Sequence, residues 1–201
     1  MWKKVLIVVG VLLVLAVGVL AFLFMRGPDL SAYERFREPA VVTMTAQKML
    51  VVEAIGAPEK SSGAALKSLF DLYFKLDGVE KGFQMPAPRA RWPKPLDTPA
   101  EQWVGQFALA VPDALTSLPA QPPGEAPARL ETWEYGEVAQ ILHVGPYTLE
   151  TPTIERLHAF IRANGYAIAG PHEEEYLRGP GMMGKGDPDR YYTLIRYRVK
   201  K

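Results

Sequence analysis

The sequence predicts an α+β domain made of two βαββ repeats related by a pseudo-twofold, an antiparallel sheet with helices on one side, preceded by one transmembrane helix. Three observations predict it. An uncharged apolar run fills residues 5–25. Two apolar segments that each end in a glycine turn are each followed by a pattern of helical period. A stretch with five prolines, Val111–Arg129, separates two halves of matching order.

The first run, VLIVVGVLLVLAVGVLAFLFM, holds no charge and no proline from Val5 to Met25. At ~1.5 Å per residue it reaches about 30 Å, the thickness of a bilayer's hydrocarbon core. It ends in FLFMRG, without the small-x-small site of a cleaved leader, so residues 1–25 are expected to stay as an anchor. Lys3 and Lys4 favour a cytoplasmic N-terminus, while Arg26, Arg35 and Arg37 flank the other end. The short N-terminal tail with two lysines tips the balance towards a single-pass membrane protein with its C-terminal domain exported. Residues 26–39, polar and mixed in charge, are expected to be a juxtamembrane spacer, and 40–201 the folded domain.

In the first repeat, about 40–111, Met49–Pro58 is a buried-strand run ending in a glycine turn. A helix should follow, with Ser61 or Ser62 as N-cap and Gly78 as its stop. Leu66, Leu69, Phe70 and Tyr73 then share one face. Two strands are expected after it, at Val79–Met85 and Gln102–Val111. The prolines of 112–129 mark a linker. In the second repeat, about 130–201, Glu137–Tyr147 is again a strand with a glycine turn. Thr151 should cap a helix with Pro152 in its first turn, and Ile154, Leu157, His158 and Ile161 lie on one face. Tyr166–Leu177 and Tyr191–Lys200 are the closing strands.

Composition excludes several classes of function. The 201-residue chain has a net charge of +1, which gives no basic footprint, so no nucleic-acid partner is expected. It has no cysteine, which rules out disulfides, thiolate metal sites and cysteine nucleophiles. Its three histidines, His143, His158 and His172, have no metal-ligand spacing. His158 reads as a satisfied core histidine, and His143 with His172 could hold haem only if the fold brought them together. No metal and no cofactor are therefore expected. GxSxG and P-loop patterns are absent.

The segment GPHEEEYL raises the sharpest question. In an extended strand alternate side chains share a face. Tyr166, Ile168, His172, Glu174 and Tyr176 would then lie together, with Glu173 and Glu175 solvated on the other side. A bulge at Gly170-Pro171 would flip that register. A lone carboxylate among aromatic groups is costly to bury unless a partner compensates it, and a flat cationic ligand is such a partner. Trp133 and Tyr135, in ETWEYG, share a face and are candidate walls of the site, with core or edge packing as the other reading. Trp92 and Trp103 have no positional argument.

HVGPY (His143–Tyr147), a helix, GYAIAGPHEEEYL (Gly165–Leu177) and the closing TLIRYRV (Thr193–Val199) resemble the GyrI-like small-molecule-binding family. That is the effector-binding domain of multidrug-sensing regulators, here behind a membrane anchor. The resemblance implies a ligand groove between two βαββ repeats, with Glu174 as the key carboxylate, Tyr176 as its aromatic partner and Tyr147 lining the pocket. The regulators' DNA-binding domain is replaced here by the apolar run. The expected function is a membrane-tethered module that binds or senses a small amphipathic, possibly cationic, molecule. One alternative is a hydrolase with Glu174 as general base, its pKa raised by an apolar groove. Another is a protein that docks a peptide or partner.

Overall fold

Two long runs of apolar and β-branched residues, Gln47–Ile55 and Gly136–Val144, form the strands on which each half is laid. The computed structural model describes residues 29–82, 85–95, 98–121, 126–180 and 186–201. The apolar segment Val5–Met25 lies outside the described residues. Among those described, no helix is long and apolar enough to cross a membrane.

The strands are β1 (Ala40–Met44), β2 (Gln47–Ile55), β3 (Arg89–Trp92), β4 (Val104–Ala110), β5 (Ala128–Trp133), β6 (Gly136–Val144), β7 (Ala167–Ile168), β8 (His172–Arg178) and β9 (Tyr192–Lys200). Helix α1 (Pro58–Tyr73) follows β2, and α2 (Thr151–Ala163) follows β6. All pairings are antiparallel, in the order β1-β6-β9-β8-β3-β4-β2-β5, with β7 added on β9. Read from the centre, β8-β9-β6 and β3-β4-β2 repeat one pattern in opposite senses. The outermost strands are exchanged. β1 runs into β2 through two residues yet pairs with β6, and β5 runs into β6 through two residues yet pairs with β2. Such short links between opposite ends require the sheet to curl until its ends meet.

One face carries both helices. Leu69 and Leu72 of α1 bury against Leu50, Val52, Phe107 and Leu109. Leu157 and Ile161 of α2 bury against Ala139, Ile141 and Ile195. The register runs continuously between the two clusters on that face, from Phe107 through Ala90, Glu174 and Ile195 to Ile141. Glu174 therefore sits at the midline of the sheet, on the helix side. The inner face of the curl holds Met49, Val51, Ala108, Trp133, Tyr135 and Val138.

Several elements differ from expectation. No strand forms at 79–82 or at Met85. The chain turns there with Gly78 and Gly82 in the left-handed region (φ 72° and 70°), and the third strand comes later, at Arg89. The linker gives way to β5 by Ala128. Helix α1 begins at Pro58, whose ring suits a first turn, and the Ser61 hydroxyl returns to the Ala57 carbonyl (3.1 Å) instead of capping. Gly170-Pro171 divides the expected Tyr166–Leu177 strand into β7 and β8 without flipping the register. Ser31–Arg37, read as spacer, forms a 3-10 helix with Phe36 buried.

Candidate functional site

Strand alternation sends His172, Glu174 and Tyr176 of β8 to the helix side, where the neighbouring strands bring Trp92 opposite His172 and Ile195 opposite Glu174. Glu174 is 9% exposed. The Tyr176 hydroxyl donates to its Oε2 (2.6 Å), and His172 Nε2 lies 2.7 Å from its Oε1. With Nε2–H given to the carboxylate, Nδ1 is left to accept from the Tyr197 hydroxyl at 2.7 Å. Burial works to raise the Glu174 pKa, but the His172 and Tyr176 contacts outweigh it and hold the carboxyl below its ordinary value. The Trp92 indole N–H pulls in the same direction, from a position short of a hydrogen bond. The raised pKa expected of a general base is absent, because the site supplies donors as well as apolar walls.

Beside His172 opens a cleft of about 480 Å³, lined by Trp92, Pro93, His158, Ile168, Pro171 and Tyr197 among others. Trp92 packs against Trp103 at 5.4 Å and edge-on to Phe107 at 5.7 Å. Gly105 makes this possible, since a Cβ there would come within 2.9 Å of the Trp92 ring. His158 sits on the cleft wall 4.9 Å from the Tyr197 ring, and its buried Nε2 has no hydrogen-bond partner among the described residues. It is therefore not the satisfied core histidine expected. Burial holds its pKa down.

On the other side of Glu174 lies a cluster of tyrosines. Gly145 takes a φ of 138°, open in practice only to glycine, and this turn delivers Tyr147 over the sheet. The Tyr147 ring stands edge-on to Tyr176 at 5.6 Å and tilted against Tyr191 at 5.2 Å, and it is 38% exposed. Glu150, which precedes α2, is buried beside them, its Oε1 without a hydrogen-bond partner among the described residues. Burial and the Glu174 charge push Glu150 up to about 9, so at neutral pH it stands as the uncharged acid next to an ionised one.

The structure thus brings Glu174, Tyr176 and Tyr147 together and leaves Trp133 and Tyr135 apart. Those two lie on the inner face of the curl, because the Gly136 turn after Tyr135 (φ 81°) folds β5 away to pair with β2. Trp133 is fully buried there, with the Arg91 guanidinium 3.9 Å from its ring centre. Glu173 and Glu175, expected to be solvated, are buried on that face in ion pairs with Arg91, Arg89 and Arg196. Sequence reasoning missed Glu150, Tyr191 and Tyr197 as site residues. Tyr197 lies two residues from Ile195, which faces Glu174, and so shares its face of the closing strand, which was a usable signal. His143 bonds Thr153 and the Pro146 carbonyl, and His172 bonds Glu174 and Tyr197, so each ring has both nitrogens engaged.

A curled antiparallel sheet with both helices on one face, and a buried carboxylate ringed by aromatics at its midline, defines a ligand-binding α+β module. Residues 37–200 match the model of the GyrI-like small molecule binding domain, and the chain belongs to that family. No curated protein matches it. Among solved structures it is similar to an uncharacterized conserved protein from Listeria innocua (22% identity, 85% of this chain and 98% of that one, TM-score 0.68). A hydrolase from Listeria innocua is also similar (21% identity, 85% and 98%, TM-score 0.65). So is the EcmrR C-terminal domain (16% identity, 82% and 98%, TM-score 0.61). In the EcmrR–DNA complex the likeness spans 62% of the EcmrR chain. At these identities the likenesses establish the fold.

Proposed function

We propose that the protein is a membrane-tethered module that binds small amphipathic cations in the groove between its two βαββ halves. The observation that carries this reading is Glu174, a carboxylate buried at the sheet midline and kept ionised among Tyr176, Tyr147, Trp92 and Tyr197. A cation with a flat apolar body gains both from the charge and from the ring faces. Membership in a small-molecule-binding family supports the same reading. The tether is the uncharged run Val5–Met25, with the domain exported, which places the groove where amphipathic molecules partition from the bilayer. The near-neutral net charge, +1, speaks for a small-molecule partner and against nucleic acid.

Hydrolysis with Glu174 as base is the weaker reading, because a base at neutral pH works best with a pKa near 7 and this one is held low. No observation favours peptide docking. The test is a fluorescence titration of the full chain in lipid nanodiscs with a cationic aromatic dye, empty nanodiscs subtracted. Saturable binding weakened by Tyr147→Ala supports the reading, and binding no better than to empty nanodiscs refutes it.

A further inference from the structure

The inner face of the curl carries a second polar cluster that cation binding does not use. Arg91 pairs with Glu173 (2.7 Å), Arg89 with Glu175 (3.4 Å), and Arg196 with both Glu173 (3.4 Å) and Glu175. The Tyr135 hydroxyl accepts from Arg89 (3.0 Å) and donates to Glu173 (2.9 Å), and Arg89 also donates to the Gln47 amide oxygen (2.7 Å). Tyr33 faces the same charges, its phenol held neutral by burial. Three guanidinium groups thus meet two carboxylates, and among the described residues the cluster keeps one positive charge in excess.

That excess opens onto a pocket of about 220 Å³, lined by Arg91, Arg196, Arg198, Tyr135, Glu173 and Glu134 among others. The volume is that of roughly seven waters at ~30 Å³ each, enough for a phosphate or a small carboxylic acid. Donors are left over in it. Arg196 is 3% exposed, and its buried Nε has no hydrogen-bond partner among the described residues. Arg91 gives its Nε–H to Glu173 and has its guanidinium 3.9 Å from the centre of the Trp133 ring. A buried guanidinium with unmet donors is costly, and its planar fork matches a two-oxygen anion.

We propose that this pocket is an anion site for a small oxyanion, a carboxylate or phosphate group, bound by Arg91 and Arg196 with Arg198 at the mouth. It is separate from the Glu174 groove, since the two lie on opposite faces of the sheet. Glu134 at its edge is exposed and opposes the anion, which sets affinity by charge difference.

The experiment is calorimetric titration of the full chain in neutral-lipid nanodiscs with inorganic phosphate and with citrate, at ionic strength fixed with sodium chloride. The pocket predicts saturable binding that Arg198→Gln weakens and Glu134→Gln tightens, roughly two- to fivefold each, the size of an exposed charge contact. Both residues lie on the surface; Arg198 also donates to the Ala169 carbonyl (3.0 and 2.7 Å), so its variant is checked for folding by circular dichroism as well. Arg91→Gln, checked for folding by circular dichroism, should lose at least tenfold, and Glu174→Gln should leave anion binding unchanged. Absence of saturable heat with either anion, or equal affinity in the Arg198 and Glu134 variants, overturns the proposal. Failure of cation binding in the groove would leave this result untouched.

Discussion

Glu173 and Glu174 are adjacent in the chain and face opposite sides of the sheet. Glu174 looks towards the helices and takes its hydrogen bonds from His172 and Tyr176, with no arginine beside it. Glu173 looks into the curl and takes them from Arg91, Arg196 and Tyr135. One carboxylate is neutralised by its own fold. The other meets only the His172 imidazole and the Tyr176 hydroxyl.

This difference predicts an order of stabilities. Glu173→Gln strips two buried guanidinium groups of a counter-charge, which by the usual cost of breaking a buried pair is about 3–5 kcal/mol. Glu174→Gln keeps a hydrogen-bonding side chain and strands no arginine, so it should cost less, about 1.5–3 kcal/mol, the worth of a hydrogen bond to a charged group. Urea unfolding of the two variants measures both. A larger loss for Glu174→Gln would contradict the assignment.

Trp133 and Tyr147 should separate stability from binding. Trp133 is fully buried beneath Arg91, and Trp133→Ala should destabilise by about 3–5 kcal/mol. At a temperature where the variant stays folded, its affinity for a cationic dye should match the parent's. Tyr147 is partly exposed, and Tyr147→Ala should leave the unfolding midpoint within a few degrees while weakening dye binding about tenfold, a full stacking and cation contact.

Glu150 predicts the pH dependence. Its pKa in the fold is raised to about 9 from 4.5, so between those values the folded chain holds a proton that the unfolded chain has released. Stability from this residue is therefore fully present below pH 4.5 and lost progressively as pH rises to about 9. Glu150→Gln should flatten this loss. Its melting temperature should exceed the parent's at pH 8.5 by about 10 °C, and the two should converge near pH 5, on the scale of ~1.4 kcal/mol per pH unit and ~2–4 °C per kcal/mol. A thermal melt series across pH decides it.

Much of this was legible in the residues. The glycine turns of Met49–Pro58 and His143–Tyr147, each with a helix of period 3.6 after it, fixed the two halves, and strand alternation alone turned Glu174 to the same side as Tyr176. The remainder depended on pairing, which local pattern does not carry. Arg89–Trp92 reads as a loop between prolines, yet it is the strand that supplies arginines to Glu173 and Glu175 and sets Trp92 against His172. Trp133 and Tyr135 alternate correctly along their strand, but the exchange of β5 onto β2 puts them on the inner face. A charge run such as HEEEYL reads as solvated because its counter-charges come from other strands, Arg89 and Arg91 more than 80 residues before it and Arg196 more than 20 after it.

The most direct test of a retained groove charge is a comparison of two ligands of one shape. The full chain and its Glu174→Gln variant, in lipid nanodiscs, would each be titrated with a quaternary-ammonium aromatic and with its uncharged carbon isostere. An anionic Glu174 predicts that the parent prefers the cation by about tenfold or more, and that Glu174→Gln abolishes the preference while keeping the affinity for the neutral compound. An equal preference in parent and variant would contradict it.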